Sequence, residues 1–96
     1  MNVMDAEPII DERHVLAENA FVEMVIWRLP EPLPGSWHRF KYRLALVMDG
    51  HCVLRYDNES GKGDHRHVGH QERAYKFTAG KALLEDFWND VDKWRF

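Results

Sequence analysis

Arg39-Phe40-Lys41-Tyr42-Arg43-Leu44-Ala45-Leu46-Val47 is the stretch that decides the fold. Phe40, Tyr42, Leu44 and Leu46 fall on one side of an extended chain, and Arg39, Lys41 and Arg43 on the other. Successive side chains of a strand point to opposite faces, so this alternation predicts a strand with one face in a core and one in water. Asp49-Gly50 follows and signals a hairpin. Two loops compete. A two-residue turn pairs Leu44 with Arg55 and sets a charge on the apolar face. A three-residue loop, Met48-Asp49-Gly50, pairs Leu46 with Cys52, Leu44 with Leu54 and Tyr42 with Tyr56. A slip of one residue turns every side chain over, so the three-residue loop is preferred. It places Lys41 opposite Asp57 and turns Cys52 inward, as a small core residue and not a nucleophile.

Upstream, His14–Ala17 and Phe21–Leu29 read as two strands around Glu18-Asn19-Ala20. The second is apolar with few interruptions, which predicts a central strand covered in part on both sides. Pro30-Glu31-Pro32-Leu33-Pro34-Gly35-Ser36 then forms a stiff loop, because proline fixes its own φ and biases its predecessor towards extended geometry. Residues 1–11 lack periodicity and read as a flexible N-terminal arm, leaving 12–96 as one domain. Downstream, Tyr56 to His70 holds three glycines and reads as a loop. Glu72–Phe77 is a short last strand. Thr78 is the expected cap of a helix that starts at Ala79 and carries Leu83, Leu84, Phe87, Trp88, Val91 and Trp94 on one stripe. The expected fold is therefore α+β: a mostly antiparallel sheet of about five strands packed by one C-terminal amphipathic helix.

A chain of 96 residues fits one domain. Four Trp, three Tyr and five Phe can bury large areas, so a core is achievable without disulfides, and the single cysteine forbids an internal one. That usage fits a reducing compartment, and the chain reads as cytoplasmic. No apolar run approaches the roughly 20 residues that span a bilayer. The net charge of −3 conceals a division. Residues 1–32 hold seven acids against two bases, whereas residues 33–77 hold eight bases, five acids and five of the six histidines. Such a cationic island attracts phosphate even on an anionic protein.

The densest chemistry is Gly61-Lys62-Gly63-Asp64-His65-Arg66-His67 with Asp57 just before it. His65 and His67 titrate near neutral pH and suit acid–base work. Lys62 and Arg66 suit a phosphate, and Asp57 or Asp64 could orient an imidazole. Arg39, Lys41, Arg43 and Arg55 form a row that could track an RNA backbone. The plainer alternatives are solvated turn histidines and an ordinary charged sheet face with Asp57 and Glu59 as partners. A metal site would need more than the His-x-His pair, and no metal or other cofactor is expected. Most tryptophans read as packing residues. Trp37, in the Pro-rich loop, is the best candidate for a stacking contact.

Phe21-Val22-Glu23-Met24-Val25-Ile26-Trp27-Arg28-Leu29-Pro30, then His38-Arg39-Phe40-Lys41-Tyr42-Arg43-Leu44, then Tyr56-Asp57-Asn58-Glu59 with Gly61-Lys62-Gly63-Asp64-His65-Arg66-His67 resembles the TumE-type toxins of toxin–antitoxin systems. The resemblance covers about residues 12 to 94. It implies a toxin with a small helix-turn-helix antitoxin as partner. By analogy with other small α+β toxins, the expected activity is metal-independent cleavage of RNA by a small ribonuclease, a hydrolase in the broad sense. Catalysis would then fall to His65, His67, Lys62, Asp64, Arg66 and Asp57, and RNA binding to Arg39, Lys41, Arg43 and Arg55. Two rivals stand beside it: a non-catalytic protein that binds nucleic acid or an acidic partner, and a metal-dependent phosphoryl-transfer enzyme. A homodimer is left open.

Overall fold

The computed structural model describes residues 5–96. Six strands follow one another as an antiparallel meander, each paired with its neighbour in sequence: β1 Glu7–Ala17, β2 Ala20–Arg28, β3 Phe40–Met48, β4 His51–Glu59, β5 Gly63–Val68 and β6 Gln71–Ala74. One helix, α1 Gly80–Val91, closes the chain and packs on one face of the sheet. The fold class is the one expected, with six strands in place of about five. The expected arm overlaps β1 from Glu7 onward, and residues 1–4 lie outside the described residues. Among the described residues no helix is long and apolar enough to cross a membrane.

The alternation in β3 does what its pattern dictates. Tyr42, Leu44 and Leu46 are buried, as are Val22, Met24 and Ile26 of β2 and Leu54 and Tyr56 of β4. Leu83, Phe87 and Val91 of α1 complete this core, while Leu84, Trp88 and Trp94 pack at its margin. Each large apolar side chain buried this way contributes about 1.5–3 kcal/mol. Helix α1 takes Ala79 as its cap residue, with no side-chain cap, instead of starting from Thr78. Among the described residues, the opposite face of the sheet has no second layer. Phe21, Val25 and Trp27 are half-buried there, so β2 is fully covered on one side and in part on the other.

The β3–β4 register corrects the preferred hairpin. Met48 pairs with His51, so the turn is the two-residue Asp49-Gly50, with φ of 51° and 78°. These positive values suit a tight hairpin turn that matches strand twist. A bulge between Leu46↔Leu54 and Val47↔Cys52 then inserts Val53 and restores the apolar match, pairing Leu44 with Tyr56 and Arg43 with Asp57. Asp57 therefore lies opposite Arg43, not Lys41. Cys52 sits on the turn side of the bulge and is exposed, not in the core.

The stretch read as a loop from Tyr56 to His70 is a β-hairpin. β4 runs on to Glu59, a short turn holds Lys62, and β5 pairs back from Gly63. β6 is shorter than expected, ending at Ala74.

Candidate functional site

Strand geometry sorts the residues between Asp57 and His67 onto two faces. Tyr56↔Arg66 and Asn58↔Asp64 are register pairs, so Arg66 and Asp64 share the helix-covered face with Tyr56 and Asn58. Arg55↔His67 and Asp57↔His65 share the uncovered face. The two imidazoles are thus separated from Asp64 and Arg66 by the sheet itself, and the cations and imidazoles of 62–67 do not meet in one recess.

On the uncovered face, His67 is the centre of a small cluster. Its Nε2 lies 3.3 Å from Asp57 Oδ1 and 3.2 Å from Arg55 Nη2. Arg55 Nε lies 3.0 Å from Asp57 Oδ2. His65 stands beside it, with ring centroids 6.4 Å apart. Its Nε2 lies 2.7 Å from the Lys62 carbonyl and its Nδ1 3.2 Å from Glu72 Oε1. Arg55 Nε and His65 Nδ1 are shut off from solvent and make no well-directed hydrogen bond, despite the nearby carboxylates. Arg43 flanks the cluster and reaches Glu23 at 3.7 Å. Lys41 donates to the Asn58 carbonyl. Glu72 was not among the expected residues. Its signal is the Gly69-His70 turn, which folds β6 back beside His67.

These contacts limit which atoms can donate and which can accept. Guanidinium can only donate and an ionised carboxylate can only accept. His67 Nε2 faces one of each. The neutral ring can accept from Arg55, and the protonated ring can donate to Asp57. His65 Nε2 faces the Lys62 carbonyl, an acceptor, so a proton on that nitrogen has a partner, while Nδ1 lies near Glu72 without a well-directed bond. The arrangement suits a proton acceptor at His67 and a proton donor at His65.

The remaining expected residues do other work. Arg66 Nε donates to Asp90 Oδ2 at 2.7 Å and to the Tyr56 hydroxyl at 3.2 Å, pinning α1 to β5. Asp64 Oδ2 accepts from the Tyr42 hydroxyl at 2.7 Å and from His38 Nε2 at 2.8 Å. His38 Nδ1 accepts the Phe40 N–H at 3.1 Å, which leaves Nε2 to carry the proton given to Asp64. Burial first, and the Asp64 bond second, push the Tyr42 phenol far up, so it stays a donor. Lys62 is exposed at the hairpin turn, 3.5 Å from Glu59. Arg39 precedes β3 and lies with Arg28, Asp5 and Glu7 around a separate depression, away from the Arg43–Arg55 part of the expected row. Among the described residues, no three His, Cys, Asp or Glu side chains come together as a metal-ion site.

Comparison with curated proteins and with solved structures finds no match. The family model described as toxin TumE matches residues 5–95, which includes every strand, the helix and both histidines of the cluster. The chain therefore belongs to the TumE toxin family.

Proposed function

We propose that this toxin of a toxin–antitoxin pair cleaves RNA without a metal ion, using the uncovered sheet face. Family membership supplies the toxin role and implies an antitoxin partner. The observation that carries the chemistry is the double environment of His67 Nε2, between Arg55 Nη2 at 3.2 Å and Asp57 Oδ1 at 3.3 Å. A general base must be stable both before and after it takes a proton. This setting provides a partner for each state.

In the proposed reaction, His67 takes the proton of a ribose 2′-hydroxyl. The oxygen attacks the adjacent phosphorus, the bond to the 5′-oxygen breaks, and His65 returns a proton to that oxygen. The products are a 2′,3′-cyclic phosphate and a 5′-hydroxyl. Arg55 neutralises the charge that builds on the phosphoryl oxygens. His65 must release the Lys62 carbonyl to reach the leaving oxygen. Lys41 and Arg43 lie on the same face and would hold flanking phosphates. Asp64 and Arg66 take positioning roles in this scheme, and Lys62 contacts the strand from the hairpin turn. The partner would be a small helix-turn-helix protein whose acidic segment covers the cations of this face.

The test is purified protein incubated with RNA, with and without EDTA. Cleavage that survives EDTA, leaves cyclic phosphate ends and is lost in both His65→Ala and His67→Ala supports the proposal. RNA that stays intact while binding with a steep salt dependence would instead mark a non-catalytic binder.

A further inference from the structure

On the far side of the β4–β5 turn lies a shallow depression of about 630 Å³, lined by Trp37, Lys62, Gly63, Asp64, Lys76 and Phe77 among others. Sites for small ligands span about 300–1,000 Å³. Trp37 is 70% exposed, far more than a packing residue needs. It is nonetheless braced. Its indole packs at steep angles of 84° and 60° against His38 and Phe77, with centroids 5.5 and 5.7 Å away. His38 is itself immobilised, stacked on Phe77 at 3.8 Å and hydrogen-bonded to Asp64 and to the Phe40 N–H. An indole braced by two fixed rings and open to solvent over most of its surface can serve as a stacking platform. Lys62 and Lys76 line the same depression; Lys62 Nζ lies 3.5 Å from Glu59 Oε2, an exposed pair at the turn, and among the described residues Lys76 takes part in no ion pair.

We propose that this depression is a subsite for one nucleotide of single-stranded RNA, its base stacked on Trp37 and its phosphates held by Lys62 and Lys76. The proposal rests on the RNA reading above and extends it to substrate binding. Aromatic face and paired ammonium groups are the two things that single-stranded nucleic acid recognises. An acidic peptide would match the lysines but leave the indole unused. The two sites are joined through one residue. The Lys62 carbonyl holds His65 on the uncovered face, while the Lys62 side chain lines the Trp37 depression. A strand that leaves the histidines and crosses the turn at Gly61-Lys62-Gly63 reaches the indole. Those glycines present no side chain to obstruct it. Asp64 becomes a positioning residue, acting on Trp37 through His38.

The experiment uses the full chain and a fluorescently labelled RNA hexamer with 2′-O-methyl groups, which cannot be cut. Anisotropy across a salt series gives affinity and salt slope. Trp37→Ala is expected to weaken binding about tenfold, with Trp37→Phe restoring most of it. Lys62→Ala and Lys76→Ala should each lower the salt slope by about 0.7. Equal affinity of Trp37→Ala and the parent protein overturns the subsite. So does displacement of the probe by poly-glutamate from both proteins alike, which would mark a site for an acidic polypeptide. A parallel assay on unmodified RNA separates this result from the catalytic reading. Cleavage with Trp37-independent binding removes the subsite alone, whereas Trp37-dependent binding with no cleavage removes the ribonuclease alone.

Discussion

His67 reaches past its register partner Arg55 to place Nε2 3.3 Å from Asp57, the residue directly opposite His65. The two imidazoles share two carboxylates: His67 lies nearest Asp57, with Glu72 farther off at 3.9 Å, and His65 turns to Glu72 on β6 at 3.2 Å. A flat ladder of charges would pair straight across. The diagonal contact gathers two rings, one guanidinium and two carboxylates onto adjoining strands, on the side of the sheet that no helix covers. The helix-covered side uses the same kinds of residue for anchoring.

Asp57→Asn tests that diagonal contact. The amide keeps the size of the side chain but cannot balance a protonated His67. On the proposed chemistry, kcat for RNA cleavage falls about tenfold or more while KM changes little. Thermal stability is measured alongside, because the Asp57 side chain is only 13% exposed and its contact with Arg55 also supports the fold, with a cost of about 1–3 kcal/mol expected. A kcat equal to that of the parent protein would sink the role given to Asp57.

The Arg66–Asp90 contact makes the opposite prediction, for stability and not activity. Burial pushes the Asp90 carboxyl up, but hydrogen bonds from Arg66, Tyr56 and Lys93 outweigh it and hold the group below the usual carboxylate range. The folded pKa is therefore lower than the unfolded one. The resulting stability is present above about pH 3.9 and disappears as the pH falls through the folded value. Asp90→Asn is expected to cost about 2 kcal/mol at pH 7 and to flatten the loss of stability below about pH 4. Urea unfolding at pH 7 and pH 3 measures both. Identical acid sensitivity in the two proteins would mean that Asp90 is not the linked group.

Arg39 to Val47 and the stripe Leu83–Val91 could be read directly from sequence, because hydrophobic periodicity is local and each segment has one apolar side. β5 could not. Asp64, Arg66 and Val68 alternate with His65 and His67 as a strand should, but both faces are polar, so the hydrophobic pattern is silent and the glycines suggest a loop. Placing Asp64 and Arg66 needs partners distant in the chain: His38 and Tyr42 for one, Asp90 for the other. The histidine pair could be picked out by composition. Its separation from its neighbours Asp64 and Arg66 follows only once β5 is a strand. The bulge at Val53 has no sequence mark at all, and without it the apolar match chose the wrong turn.

Cys52 carries the consequence of that bulge. The thiol is exposed. It is therefore expected to react with a disulfide reagent such as DTNB in the native protein, without denaturant, and Cys52→Ser should alter stability by no more than about 0.5 kcal/mol. A thiol that reacts only on unfolding would restore the inward register and move Asp57 from its place opposite Arg43 to one opposite Lys41.

Asn58 shows how the sheet holds its shape where regular β3–β4 pairing stops at Arg43↔Asp57. Its side chain takes over the ladder: Oδ1 accepts the Tyr42 N–H at 3.0 Å, and Nδ2 donates to the Phe40 carbonyl at 2.6 Å. The residue is buried, so Asn58→Ala leaves two backbone groups without partners. Each orphaned group costs about 1–3 kcal/mol, which predicts a fall in Tm of at least about 10 °C for a domain of this size. The damage should also be directional. Tyr42 is the donor that fixes Asp64, Asp64 fixes His38, and His38 braces Trp37. Hydrogen exchange at the Tyr42 amide should therefore accelerate more than exchange at Leu44 or Leu46, and the indole signal of Trp37 should broaden in the NMR spectrum. Uniform acceleration across β3 would show that Asn58 supports the domain generally and does not specifically hold the end of the sheet beneath Trp37.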